Sequence, residues 1–198
     1  MVRIGISVEG PTEERLIKAV LVPYMQERGR FLYPISIGGN VSVDRVAGEL
    51  KKLANSFDYV STFYDFYGFK RRQPGETKAT LENRLLQAAA PNIQSRFLPY
   101  VQMYELEGIL FASPAAIAQT LQNPALDDWA TEILTSCGGD PERINDSPQT
   151  APSKRLERHS NYRKTTHGPD IARLIGIERL RETCRGFDAW LRALEAMT

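Results

Sequence analysis

Glu9 closes an apolar stretch and opens a Gly-Pro turn in "ISVEGPTEERLIKAVL", and two more acids, Glu13 and Glu14, follow within a helical turn. Asp65 sits in "FYDFYGF", and Glu105 and Glu107 in "YELEG". Like charges brought together repel and are costly to desolvate, so an acidic cluster of this kind is most simply stabilised by a divalent cation. Hard oxygen donors with no accompanying His or Cys favour Mg²⁺ or Mn²⁺ over zinc. Each acid also has an ordinary role. Glu13 and Glu14 suit the positive end of a helix dipole with Thr12 as its N-cap, Asp65 alone suits a turn, and Glu105 alone suits a solvated edge.

Other chemistries lack their signatures. The chain has no G-x-x-x-x-G-K-[ST] phosphate loop, no G-x-S-x-G elbow and no H-E-x-x-H. Its histidines, His159 and His167, lie in a late polar segment away from any nucleophile, and Cys137 and Cys184 match no paired metal spacing. Two basic stretches could hold phosphates. Lys70, Arg71 and Arg72 follow "FYDFYGF" directly, and "SKRLERHSNYRK" carries Lys154, Arg155, Arg158, Arg163 and Lys164 with Tyr162 among them. A solvated helix face with a Lys154–Glu157 pair is the plainer account of the second stretch. Trp129 and Trp190 fall at helical spacing among apolar residues and are read as core.

The elements that must position these residues follow from periodicity. Val2, Ile4, Ile6 and Val8 alternate as a strand, and Pro11 opens a helix that runs to about Gly29. "FLYPISI" is a second strand, placed at an edge by Pro34, and "SVDRVAGELKKLANSF" is a helix capped by Ser42. "DYVSTFYDF" is a third strand, "QPGETKATLENRLLQAAAP" a loop and helix, and "RFLPYVQMYELE" a fourth strand. Strand–helix alternation predicts an α/β fold with a mostly parallel sheet of about four strands. In such a sheet ligands bind at the carboxyl ends of the strands, where Glu9, Asp65, Glu105 and Glu107 fall. Beyond Glu107 only helices are expected, over "GILFASPAAIAQTLQN", "PALDDWATEILTSC" and "IERLRETCRGFDAWLRALEAM", with a Gly/Pro/Asn/Asp-rich link, "GGDPERINDSPQTAPS". The division expected is an α/β core over residues 1–112 and a helical region over residues 113–198, packed on the core or capping it.

The 198 residues carry a net charge of +1, with 25% charged and 42% hydrophobic residues, so any basic surface is local. Cysteine usage fits a reducing cytoplasm, the first residues read as a strand and not a signal peptide, and no run is long enough to cross a membrane.

The motifs "VEGPTEERLIKAVLVPYM", "FYDFYGF" and "LPYVQMYELEGILF", with "APSKRLERHSNYRKTTHG", resemble a bacterial family of Toprim-like proteins of unknown function, often encoded beside an ABC- or AAA-type ATPase. Toprim domains occur in topoisomerases, primases and nucleases of the overcoming-lysogenization-defect type. There a glutamate after the first strand and an Asp-x-Asp pair bind Mg²⁺ and handle phosphodiesters. The resemblance aligns Glu9 with that glutamate and Asp65 with the first acid of the pair, while Tyr67 replaces the second. In the family a histidine commonly precedes the later glutamate, and here that position is Tyr104.

The resemblance implies a Mg²⁺- or Mn²⁺-dependent nuclease acting on DNA or RNA, an effector of anti-phage defence with an ATPase partner. Glu9 would be an acid/base or metal ligand and Asp65 a metal ligand. Glu105 and Glu107 would complete the metal site, and Glu13 would be an outer ligand. It leaves room for a homo-oligomer. The alternatives are a Toprim-like scaffold that regulates or bridges the ATPase without catalysis, and a small-phosphate hydrolase using the same acids.

Overall fold

A computed structural model of the chain describes residues 1–145 and 150–198. Strand β1 (Val2–Val8) is buried from Ile4 to Val8 on both faces, as a central strand of a parallel sheet must be. The chain enters α1 (Pro11–Leu16), widens into a π-helical turn over Ile17–Leu21 and continues as α2 (Val22–Gln26). The wide turn lies directly before Pro23, which has no N–H to return to the preceding carbonyls. The N-cap of α1 is Gly10 and not Thr12, because the Glu13 side chain reaches back to the Gly10 N–H.

Strand β2 (Arg30–Ser36) leads to α3 (Val43–Leu53), whose expected cap, Ser42, accepts from the Arg45 N–H at 3.3 Å. Strand β3 (Tyr59–Asp65) is followed by a 3₁₀ turn (Phe66–Gly68), α4 (Lys78–Ala88) and α5 (Pro91–Gln94). The fourth strand expected over residues 96–107 is two short pieces, β4 (Phe97–Leu98) and β5 (Val101–Gln102). All pairings are parallel, in the order β2-β1-β3-β4, with β5 against the end of β3. The edge position of β2 agrees with Pro34 in its sequence.

The break in the fourth strand has a local cause and a local repair. Pro99 cannot donate to a ladder. Across the gap the Thr62 hydroxyl accepts from the Tyr100 N–H at 2.8 Å and donates to the Tyr100 carbonyl at 2.9 Å. One buried side chain thus replaces the missing rung and keeps the chain on course toward Glu105 and Glu107.

The remaining elements among the described residues are helical: α6 (Glu107–Leu110), α7 (Pro114–Thr120), α8 (Ala125–Ser136), α9 (Pro152–His159), α10 (Lys164–Ile175), α11 (Ile177–Thr183) and α12 (Arg185–Glu195). The helix expected over residues 108–123 is divided, because Ser113 caps a new helix with Pro114 at its first position. The helix expected over residues 177–197 is divided at Cys184. Helix α10 has no counterpart in the periodicity, since Gly168 and Pro169 interrupt its pattern. Part of the polar link, residues 146–149, lies outside the described residues.

One apolar core joins Ile4, Ile6 and Val8 of β1 to Phe187, Leu191 and Leu194 of α12, and a second fills the other face of the sheet with Leu50, Val60, Tyr64 and Leu81. Trp190 is core, with its indole N–H on the Ser61 hydroxyl at 2.9 Å and its ring stacked 4.7 Å from Tyr100. Trp129 is partly buried against the same core. Glu142, in the link, accepts from the N–H groups of Gly186 and Phe187 at 2.6 and 3.1 Å and so fastens the start of α12.

Helix α10 packs along α1, with Gly168 beside Thr12 at ordinary contact distance and closer to the Tyr162 hydroxyl, which a Cβ there would approach to 3.0 Å. That packing carries Lys164 over the strand ends. Thr62→Val should cost about 1–3 kcal/mol, because it strands a buried N–H and carbonyl at Tyr100. Chemical denaturation should show a lower midpoint with an unchanged slope.

Candidate functional site

Glu9 is the first residue beyond β1, and its carbonyl accepts from the Gly39 N–H at 2.9 Å and the Ser36 hydroxyl at 3.3 Å. Its carboxylate lies against Gly68, where an added Cβ would stand 2.1 Å from Oε2. A larger residue there would have to push the carboxylate aside, so the turn after β3 packs directly on the acid after β1. Asp65 ends β3 without capping the turn that follows. Its Oδ1 accepts instead from the Leu106 N–H at 2.7 Å, which ties the third strand to the loop carrying Glu105 and Glu107.

Glu107 is 1% exposed and opens α6. Its Oε1 accepts from the Tyr162 hydroxyl at 3.3 Å and pairs with the Lys164 ammonium at 3.3 Å. Glu13 is buried in its cap on Gly10, at 2.9 Å. Glu105 is half-buried and accepts from the Ser153 N–H at 3.1 Å, so part of its capacity is spent on the start of α9. Glu14 faces out and pairs with Lys18 at 2.5 Å, the ordinary role of a helix acid.

Electrostatics bind these side chains into one site. Burial pushes the Asp65 carboxyl well above its usual range, and Glu13, Glu107 and Glu9 push it further, while Lys164 pulls it back. Burial likewise raises Glu107, against Lys164 and with Glu105. Glu13 is raised by burial despite its hydrogen bonds, and Glu9 by burial against the pull of Lys164 and Lys70. Burial works against the Lys164 ammonium, but Glu107, Glu105 and Asp65 outweigh it and raise its pKa. The donor chemistry, oxygen only and strongly repelling, fits a hard divalent cation. The side chains are not drawn into a cage, since no group of three His, Cys, Asp or Glu among the described residues is placed to hold an ion. Lys164 supplies the positive charge in this arrangement.

The basic residues separate into different settings. Lys70 and Arg71 line a cleft of about 880 Å³ with Asn40, Ser42, Asp44 and Arg84, and Lys70 is near enough for its charge to act on Glu9. Arg72 is exposed, with its guanidinium 4.5 Å from the Phe66 ring centre. Lys154 pairs with Glu157 at 2.7 Å, as helix spacing allows, and Arg155 donates to the Thr150 carbonyl at 2.7 Å. Arg158 and Arg163 are exposed. Tyr162 corrects the sequence expectation of a base platform. At 6% exposure its ring offers no face to a base, and its hydroxyl serves Glu107. Lys164 likewise belongs to the acidic site and not to a surface patch. Sequence reading had no signal for Gly68 or Thr62, whose roles exist only in the packing. The His159 ring packs at a tilt 4.7 Å from that of Trp129, and the His167 Nδ1 accepts from the Arg163 N–H at 3.0 Å.

A family model described as a domain of unknown function, DUF4276, matches residues 8–195. The chain belongs to that family. No curated protein matches it. Among solved structures it is similar to the C-terminal region of the Burkholderia pseudomallei OLD protein, at 19% identity and a TM-score of 0.54, over 99% of this chain and 100% of that one. It also matches the C-terminal region of the Xanthomonas campestris pv. campestris OLD protein, at 17% identity and a TM-score of 0.45, over 97% and 95% of the two chains. The Burkholderia likeness shows the fold, which is Toprim-like: a parallel sheet flanked by helices. No helix among the described residues is long and apolar enough to cross a membrane.

A carboxyl whose pKa is raised by folding favours the native state below its unfolded value, and that contribution is lost as pH rises through the folded value. Asp65→Asn should therefore match the parent in melting temperature near pH 4 and exceed it increasingly toward pH 8, measured by calorimetry in chelator. Lys164→Met should lower the melting temperature at pH 7, because it leaves Glu107 buried without its cation, and adding Glu107→Gln should restore most of the loss.

Proposed function

We propose that this chain is a divalent-metal-dependent nuclease that hydrolyses phosphodiester bonds in DNA or RNA at the strand ends. The observation that carries the reading is that Glu9, Asp65 and Glu107 act on one another's charge at the strand ends, with Asp65 tied to the Glu107 loop through the Leu106 N–H, Glu107 paired with Lys164, and Lys70 of the cleft acting on Glu9. Acids alone would repel a phosphate. Acids next to cations suit a site that must hold a cation and a phosphate together.

Mg²⁺ or Mn²⁺ held by Glu9, Asp65 and Glu107 would polarise the scissile phosphate and lower the pKa of a bound water. Where Glu9 is not itself a ligand, this half-buried carboxylate would take a proton from the attacking water. Lys164 is the cation nearest the acids and would stabilise charge gathering on the phosphate. Lys70, Arg71 and Arg72, and farther away Lys154, Arg155, Arg158 and Arg163, would hold the flanking backbone without reading sequence. The likeness of the motifs to ATPase-linked proteins supports a cytoplasmic effector of anti-phage defence that works with an ABC- or AAA-type ATPase.

The test is cleavage of labelled duplex and single strands of DNA and RNA with Mg²⁺, Mn²⁺ or EDTA, alone and with the ATPase encoded nearby. Metal-dependent scission is the expected result, with Glu9→Gln and Asp65→Asn each reducing it by about 10²-fold or more. Binding without scission under every condition would instead favour the regulatory scaffold, a reading that Tyr67 at the second acid position supports. Release of free phosphate without scission would point to a phosphatase.

A further inference from the structure

Tyr67, at the place of the second acid in the Toprim pair, and Tyr104, at the place of the family's common histidine, lie together. The Tyr67 N–H donates to the Tyr104 carbonyl at 3.1 Å, and the two ring centres are 5.3 Å apart. Buried Phe66 backs them, with its ring edge-on to Tyr104 at 6.5 Å, and the Arg72 guanidinium lies 4.5 Å from the Phe66 centre and 5.2 Å from that of Tyr67. Both tyrosines are half-buried, so each packs on the core below and keeps part of its ring at the surface.

The backbone at Tyr104 is strained for this arrangement. Its φ of 60° is left-handed, a conformation that glycine or asparagine adopts far more readily than a bulky aromatic residue. Strain of that kind persists where surrounding structure fixes it and clusters at binding sites. The rings ride on the same two loops that carry Asp65 and Glu107, and Lys70 and Arg71 of the cationic cleft follow Tyr67 by three and four residues in the chain.

We propose that Tyr67 and Tyr104 form a stacking platform for an unpaired nucleobase, so that the acidic site takes single-stranded nucleic acid in preference to duplex. Stacking needs a free π-face, which a base inside a duplex does not present, and an arginine beside the platform adds cation–π attraction and a phosphate contact. Phosphate held at Lys70 and Arg71 and a base held at Tyr67 and Tyr104 would lay one strand across the acids. The inference rests on the nucleic-acid reading above.

Its test is binding without cleavage. The full-length chain in EDTA is titrated by fluorescence anisotropy with a labelled single strand, with the same strand carrying consecutive abasic sites, and with duplex. The parent is expected to bind the intact strand about tenfold more tightly than the abasic one, the range of a single base–aromatic stack. Tyr67→Ala and Tyr104→Gly should erase that difference and leave abasic binding unchanged, while Tyr67→Phe and Tyr104→Phe retain it. Tyr104→Gly also relieves the backbone, so a normal melting temperature separates lost stacking from lost folding. Equal affinity of the parent for intact and abasic strands overturns the platform while leaving the nuclease reading standing. The absence of binding to any strand, both in EDTA and with Ca²⁺ in place of Mg²⁺, overturns both.

Discussion

Like charges cannot be gathered at the end of a sheet unless something offsets their repulsion, and here that is the ammonium of Lys164. It pairs with a glutamate that is 1% exposed and acts on Asp65, Glu13 and Glu9 as well. Each of those carboxyls is raised by burial, and without the lysine each would be raised further. The architecture around the site serves this arrangement. Lys164 is the first residue of α10, and α10 lies on α1. Tyr162, two residues earlier, adds its hydroxyl to the same carboxylate. The helical C-terminal region therefore completes the electrostatics of acids that the α/β region supplies.

The sheet imposes the complementary constraint. Glu9 and Asp65 reach the site because β1 and β3 are parallel neighbours and end together, with Val8 opposite Phe63 in register. Glu107 arrives by another route. The fourth strand stops at Pro99, Thr62 holds Tyr100 across the gap, and β5 pairs with only the last two residues of β3. This early end frees the chain to turn, so that the Leu106 N–H can meet Asp65 and Glu107 can open a helix. A continuous strand over residues 96–107 would keep those groups in a ladder.

Much of this was legible in the sequence. Alternation marked β1, β-branched and aromatic residues marked β3, Pro34 marked the edge, and Ser42 marked a cap. What was not legible depended on contacts between distant segments. Gly168 and Pro169 hid α10, because helix periodicity weakens at such residues even where packing against α1 holds the helix together. For the same reason Lys164 read as one member of a basic run, although its charge is directed inward. Tyr162, set among arginines, read as a surface aromatic until burial placed its hydroxyl on Glu107. Composition shows the charge of a segment, and only the fold shows which way that charge faces.

That distinction bears on the departure at position 67. A carboxylate there would stand two residues from Asp65, beside acids whose pKa values are already raised. Glu9, Glu13, Asp65 and Glu107 are opposed at close range by Lys164, with Lys70 assisting at Glu9. A further negative charge would need a further cation, whereas a phenol is neutral near pH 7 and adds no repulsion. The neutral side chain thus lowers the positive charge the crevice demands, and its ring packs against a tyrosine from the loop that carries Glu107. Against the Asp-x-Asp pair that the Toprim resemblance implies, Tyr67 offers an aromatic surface in place of a carboxylate, and one fewer acid leaves less charge for Lys164 to offset.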